Sequence, residues 1–304
     1  MQTSNQHAAI LRQLQARQQA GAQLLLALDA PSRPLAGAEA ELDAQVRQQG
    51  LPVPLKHPQL DPARQPAWLP LTAGAPALAD SIAQAQAEAE PDVLALGKGR
   101  RVAGWLEIAG SAKLAAAHIG RQMIGRTPNG ETHLLRLHDP AVSWALWPLL
   151  NTAQQRGLLG SVSRWWLLDP AGELICLEPA QQAARTPRPP SRWEPGLWED
   201  IARIGPLNRA LLAWREHAPE CDAAGKLEAA RLHAFAALRH AGALGFDDEE
   251  DLSRFALHAV TVHPRFYLHP RVQALLAGRE ADDFYSGLTD SLSEADWAAI
   301  AASA

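Results

Sequence analysis

No phenylalanine or tyrosine occurs before Phe235, and only Trp297 of the ten tryptophans lies beyond Trp214. An aromatic inventory split this way points to two separately built cores. Cysteine is nearly missing: Cys176 and Cys221 are the whole set, with no CxxC pair. That excludes a disulfide-dense secreted scaffold and fits a reducing cytoplasm. Basic charge is not in excess. The formal net charge is −5, so electrostatics make no case for nucleic acid as a partner. No apolar run approaches the roughly 20 residues that cross a bilayer, so membrane insertion is not expected. Met1 to His7 lack the basic start and apolar run of a signal peptide. The expected location is cytoplasmic. Hydrophobic residues make up 47% of the chain, enough for a globular protein.

The motifs of common chemistries are missing as well. His258, His263 and His269 are close in sequence but lack HExxH spacing, so no metal site is expected. Gly160-Ser161-Val162-Ser163 lacks the closing glycine of a nucleophile elbow. Gly97 to Gly104 is glycine-rich and basic, yet it matches neither the P-loop nor the dinucleotide fingerprint and precedes a strand instead of following one. It reads as a plain turn, and no cofactor is expected. His133 and His138, five positions apart, fall on opposite faces of a strand and do not converge on one ion. No catalytic residue emerges. Asp29 ends a buried strand before Ala30-Pro31-Ser32 and reads as a turn cap. The alternative is a hydrolase-type enzyme using Asp29 or Asp139 with a histidine brought in by the fold.

What is present centres on His133 to Leu150. Leu135 and Leu137 alternate with Arg136 and His138, the period of a strand with one covered face. Asp139 then occupies a helix N-cap position and Pro140 the first helical one, where the missing N–H costs nothing. Ala141 to Trp147 is apolar nearly all round, which predicts a buried helix ended by Pro148.

Before this centre, helices are expected over 6–22, 36–49, 75–90 and 111–125, with strands at Leu24–Leu28, Ala67–Leu71 and Val102–Ile108. Thr127 to Gly130 reads as a turn. After it, Thr152 and Gln155 suggest a capping box, and Ser161–Leu168 with Glu173–Leu177 suggest a hairpin across Asp169 to Gly172. The alternation predicts an α/β lobe, a mixed sheet with flanking helices, over 1–185. Gln181 to Pro195 holds four prolines with Arg185, Arg188 and Arg192, and reads as a linker that proteases should cut first. An all-α lobe is expected over 186–304, with helices at 197–217, 226–243, 248–262, 271–278 and 294–302.

Leu134-Leu135-Arg136-Leu137-His138-Asp139-Pro140 resembles the "leucine-leucine-arginine-aromatic-x-aspartate-proline" signature of the adaptor chaperones of bacterial type VI secretion, filed as domain of unknown function 4123. Leu137 stands where that family usually has an aromatic residue. The resemblance covers most of residues 20–180 and is carried further by the buried strand ending at Asp29 and by the Trp68-Leu69 pair. It implies a non-enzymatic chaperone that binds an effector and helps load it onto the spike protein. The implied partners are an apolar N-terminal segment of the effector, laid into a groove between the two lobes, and the spike itself. Arg136, Asp139 and Pro140 are then mainly structural. Trp144, Trp147, Trp165 and Trp166 are candidate interface residues, because tryptophan anchors are enriched where proteins meet.

Overall fold

Five residues without a polar side chain, Leu24 to Leu28, need cover on both faces of a strand. The computed structural model describes residues 2–57, 60–61, 64–96, 99–180, 193–218, 225–280 and 283–302. In it the run forms β1 (Gln23–Leu28), after helix α1 (Gln2–Gln19). Then come α2 (Ala38–Gln49), β2 (Leu51–Pro52), β3 (Ala67–Pro70), α3 (Ala77–Ala89), α4 (Pro91–Ala95), β4 (Val102–Ile108) and α5 (Ala112–Gln122). The series continues with β5 (Ile124–Arg126), β6 (Thr132–Leu134), α6 (Pro140–Leu146), α7 (Thr152–Leu159), β7 (Val162–Leu168) and β8 (Leu174–Leu177).

Six strands form one sheet in the order β2-β3-β1-β4-β7-β8, with antiparallel pairing throughout. Alternation divides β1 between two cores. Leu24, Leu26 and Leu28 meet Ile10 and Leu14 of α1, Leu42 of α2, Leu78 and Ile82 of α3, and the rings of Trp105 and Trp166. Leu25, Leu106 and Trp165 point the other way and are also buried, where α6 packs on β4 and α7 on β7. Trp105 is fully buried, and its indole N–H donates to Ser81 Oγ at 3.0 Å, so its one polar atom is satisfied. Gly104 adopts φ +127°, and the Trp165 indole N–H donates to the neighbouring Ala103 carbonyl at 3.0 Å.

One carboxylate lies within this apolar sheet. Glu107 of β4 accepts two hydrogen bonds from Arg17 of α1, at 2.9 and 2.8 Å, and one from Arg164 of β7 at 3.0 Å. Arg17 chiefly, with Arg164, holds the Glu107 carboxyl below the usual glutamate range against the opposing effect of burial. Arg164 also forks onto Glu178 at 2.9 and 2.7 Å. The network ties the first helix to the middle of the sheet.

Several elements differ from the sequence expectation. The strand expected through His138 ends at Leu134, and β5 and β6 pair only with each other around the Thr127–Gly130 turn. The capping box of α7 uses Asn151 and Gln154, one residue earlier than expected, because the Asn151 side-chain oxygen Oδ1 accepts from the N–H groups of both Ala153 and Gln154 at 3.0 Å. The helix expected over 197–217 is two, α8 (Pro195–Ala202) and α9 (Ile204–His217), broken at Arg203. Pro206 accounts for the break: it has no N–H for a helix running through it but fits the first turn of a new one.

The chain forms two compact units, Met1–Trp198 and Glu199–Ala304. The expected linker falls largely on 181–192, outside the described residues. The first unit reaches Trp198 because that ring packs on Gly125 and meets His133 edge-on at 5.7 Å. The second unit continues with α10 (Lys226–Ala243), α11 (Glu249–Thr261), α12 (Pro270–Ala277), α13 (Tyr285–Thr289) and α14 (Glu294–Ala301), and has no strand among the described residues. An α/β unit followed by an all-helical one is therefore the architecture, as expected. Helices α9, α10 and α11 pack on one another. Phe255 is fully buried amid Phe246, Phe266, Tyr267 and Tyr285. Buried Asp251 accepts from the N–H groups of Tyr285 at 2.6 Å and Ser286 at 3.0 Å, which caps α13. Among the described residues no helix is long and apolar enough to cross a membrane.

Candidate functional site

The Leu134–Pro140 motif forms an elbow. Beyond β6 the Leu135 N–H donates to Met123 at 2.7 Å, Leu137 N–H to Leu135 at 2.8 Å, and Asp139 N–H to Arg136 at 2.8 Å. The backbone thus turns on itself instead of joining a ladder. Leu135 and Leu137 are nevertheless 2% and 1% exposed while Arg136 is open to solvent. The alternation in the sequence reports burial correctly, but a tight turn produces it. Asp139 is the N-cap of α6, accepting from the Ala141 N–H at 3.0 Å, and Pro140 is the first helical residue, both as read from the sequence. Arg136 stands 3.5 Å from the Asp139 carboxylate.

The elbow brings His138 to Asp29 at the end of β1, with 3.6 Å between Nε2 and Oδ2. Asp29 also accepts from its neighbour, the Ala30 N–H, at 2.8 Å, the turn-capping role expected of it. Burial, chiefly, pushes the His138 imidazole below the ordinary histidine range, with the Asp29 charge opposing it. Two adjoining hollows of about 220 and 340 Å³ open here and share Asp29, Ala30, Ser32, Arg136 and His138.

Arg100 and Arg101, read from the sequence as part of a plain turn, prove to be buried wall residues of this cleft. Arg101 donates to the Asp43 carboxylate at 2.6 Å and to the Glu39 carbonyl at 3.2 Å, while Arg100 donates to the carbonyls of Leu168 and Asp169. Glu88 accepts from the Val102 N–H at 2.9 Å and from Gln84 at 2.7 Å, and burial raises its carboxyl above the usual range. These charges brace α2, α3 and the sheet against one another. The Asp29–His138 approach is a geometry suited to proton transfer. The far ring nitrogen of His138, Nδ1, is buried with no partner among the described residues. A general base needs a hydrogen-bonded orienting group on one side and a reacting group on the other.

The tryptophans fall mostly into the core. Trp144, Trp165 and Trp166, candidate interface residues from the sequence, are 8%, 3% and 9% exposed and so lie in the core. Trp165 and Trp166 sit on a central strand, where both faces are covered. Trp147 remains half-buried at the end of α6. The three clustered histidines have local partners. His258 Nδ1 lies 2.6 Å from the Tyr285 hydroxyl, His263 accepts from the Arg265 N–H, and His269 caps α12. Burial pushes the Cys176 thiol up to about 12, which leaves little thiolate at neutral pH. Cys221 lies outside the described residues. A second pocket, missed in the sequence, is lined by Trp193 and Trp198, with Arg121 and Arg126 at its rim.

Asp139→Ala is expected to lower stability by about 1 kcal/mol, the usual cost of a lost N-cap. Thermal melts followed by far-ultraviolet circular dichroism would register it, and an unchanged melting temperature would remove the capping role. No family model, curated protein or solved structure matches this chain in comparison.

Proposed function

We propose that this chain is a non-enzymatic adaptor chaperone that binds a type VI secretion effector and helps load it onto the spike protein. The observation that supports the reading is the engagement of the resembling motif itself. Leu135 and Leu137 are buried, Asp139 caps α6, and Arg136 closes over that cap, so the motif's residues are spent on building an elbow. The bound segment is apolar and N-terminal in the effector. Its burial dominates affinity at about 25 cal/mol per Å² before ordering costs. Salt therefore has little effect on the complex.

The test is co-expression with the product of the adjacent gene, with and without that product's first helices. A complex that needs those helices and survives high salt is expected. Binding that persists after their deletion, or that vanishes in moderate salt, overturns the reading.

The 3.6 Å approach of His138 to Asp29 favours a second reading, a hydrolase. Under it, His138→Ala abolishes turnover of activated ester or phosphate substrates at unchanged melting temperature. Under the adaptor reading, no turnover depends on His138.

A further inference from the structure

The cleft at Asp29 uses most of its charges to hold its own walls. The pocket under Trp198 does the opposite. It is a hollow of about 160 Å³ with Trp193 and Trp198 as walls, Ile124 and Leu135 as further apolar lining, and Arg121 and Arg126 flanking. The Trp198 ring lies so close to Gly125 that any side chain at that position would overlap it. Trp198 is 8% exposed, yet its indole N–H has no partner among the described residues. Arg121 and Arg126 are exposed, and their side chains form neither a hydrogen bond nor an ion pair with a described residue. The site thus offers two guanidinium groups around an apolar hollow the size of one side chain. Such a set of donors calls for an acceptor-rich, negatively charged ligand with an apolar anchor.

We propose that this pocket binds an acidic peptide segment of a partner protein, one apolar side chain in the hollow and flanking carboxylates on Arg121 and Arg126. The two arginines stand at the last turn of α5 and the last residue of β5, on either side of Ile124 and Gly125. That placement suits carboxylates on both sides of an anchor, an internal segment and not a chain terminus. A single-stranded nucleic acid would also offer anions and rings, but the chain's net charge of −5 opposes a polyanion. The inference stands on the pocket alone. The adaptor reading concerns an apolar segment bound without regard to salt, so either can fail without the other.

The probe is a dye-labelled, C-amidated peptide with one leucine between pairs of aspartates, titrated with the full chain and read by fluorescence anisotropy. Saturable binding is expected, weakened about tenfold or more by Arg121→Glu combined with Arg126→Glu and by high salt. Replacing the leucine with serine, or the aspartates with asparagines, is expected to weaken it comparably. Both arginines are exposed, so the double variant should melt with the wild type. No saturable binding, equal binding by the double variant, equal binding of the serine peptide, or displacement by a single-stranded oligonucleotide overturns the proposal.

Discussion

Gly104→Ala is expected to destabilise the first unit by about 3–5 kcal/mol, the combined scale of a strained backbone and an overpacked core. Gly104 sits in β4 at φ +127°, a conformation that L side chains rarely adopt. An added methyl would overlap the Trp166 carbonyl oxygen and stand 2.9 Å from the Trp165 indole nitrogen. Neither neighbour yields easily, because Trp166 belongs to the adjoining ladder and the Trp165 indole is bonded to the Ala103 carbonyl. β4 can accept the methyl only by parting from β7. Domains are stable by about 5–15 kcal/mol in all, so the loss is a large share of the total. Urea unfolding followed by tryptophan fluorescence would measure it, since Trp165 and Trp166 report on this ladder. A midpoint equal to wild type would mean that the strand pairing around Gly104 is not as described.

The second unit should lose about 3 kcal/mol as pH falls from 6.5 to 4, and His258 should carry that loss. Burial, chiefly, with the nearby Arg254 charge, lowers the His258 imidazole from 6.5 to about 4. In the unfolded chain the ring takes up its proton near 6.5, while the folded ring resists until about 4. Between those values the unfolded state binds more protons, so stability rises with pH and is lost as the solution is acidified. The contribution is fully present above 6.5 and gone below 4; 1.36 kcal/mol per pH unit over that window gives the magnitude of ~3 kcal/mol. The geometry says why. Nδ1 lies 2.6 Å from the Tyr285 hydroxyl and Trp297 packs against the ring at 4.5 Å, so an imidazolium there would hold its charge in an apolar setting away from water. His258→Asn keeps an acceptor without a titrating group. Urea midpoints at pH 7, 5.5 and 4, read from the near-ultraviolet aromatic signal, should slope for wild type and flatten for the variant. Equal slopes would assign the acid sensitivity to another group. Glu107 is separable, because a lowered carboxyl gives up its contribution only at more acid pH.

Elements with strong local periodicity were legible in the sequence. β4 spans Val102–Ile108 and α10 spans Lys226–Ala243 as read, and the Asp169–Gly172 turn joins β7 to β8. The misreadings share a cause. Leu135 and Leu137 alternate because they reach a core, and burial alone does not distinguish a strand from a turn that presents the same residues. Three-residue strands such as β5 are too short to show a period. Pro206 was a readable break in the helix over 197–217 that the apolar spacing outweighed. The candidate sites were hidden for another reason. His138 meets Asp29 from far along the chain, and Trp198 meets Gly125 likewise. No window of sequence contains either pair. Arg100 and Arg101 beside two glycines read as part of a plain turn, but their partners, Asp43 and the carbonyls of Leu168 and Asp169, lie in elements that only the folded sheet brings near.

The strand order bears on how the chain comes off the ribosome. β1 pairs with β3 and β4, whose last paired residue is Ile108, and β4 in turn awaits β7. The partners of β1 and β4 are thus distant in sequence, the arrangement that slows folding because loops must close before these ladders reward them. At about 5–20 residues per second, the Leu24–Leu28 run emerges and waits roughly 4–16 seconds before its second ladder partner exists. Until β3 is made this uncharged apolar strand has two open edges, and until β4 is made it keeps one, the condition under which nascent chains associate with one another. Recovery of folded protein should therefore depend on the rate of synthesis more than on final stability. Slower or cooler expression, which lowers the number of such waiting chains at any moment, should raise the folded fraction even for the wild-type sequence.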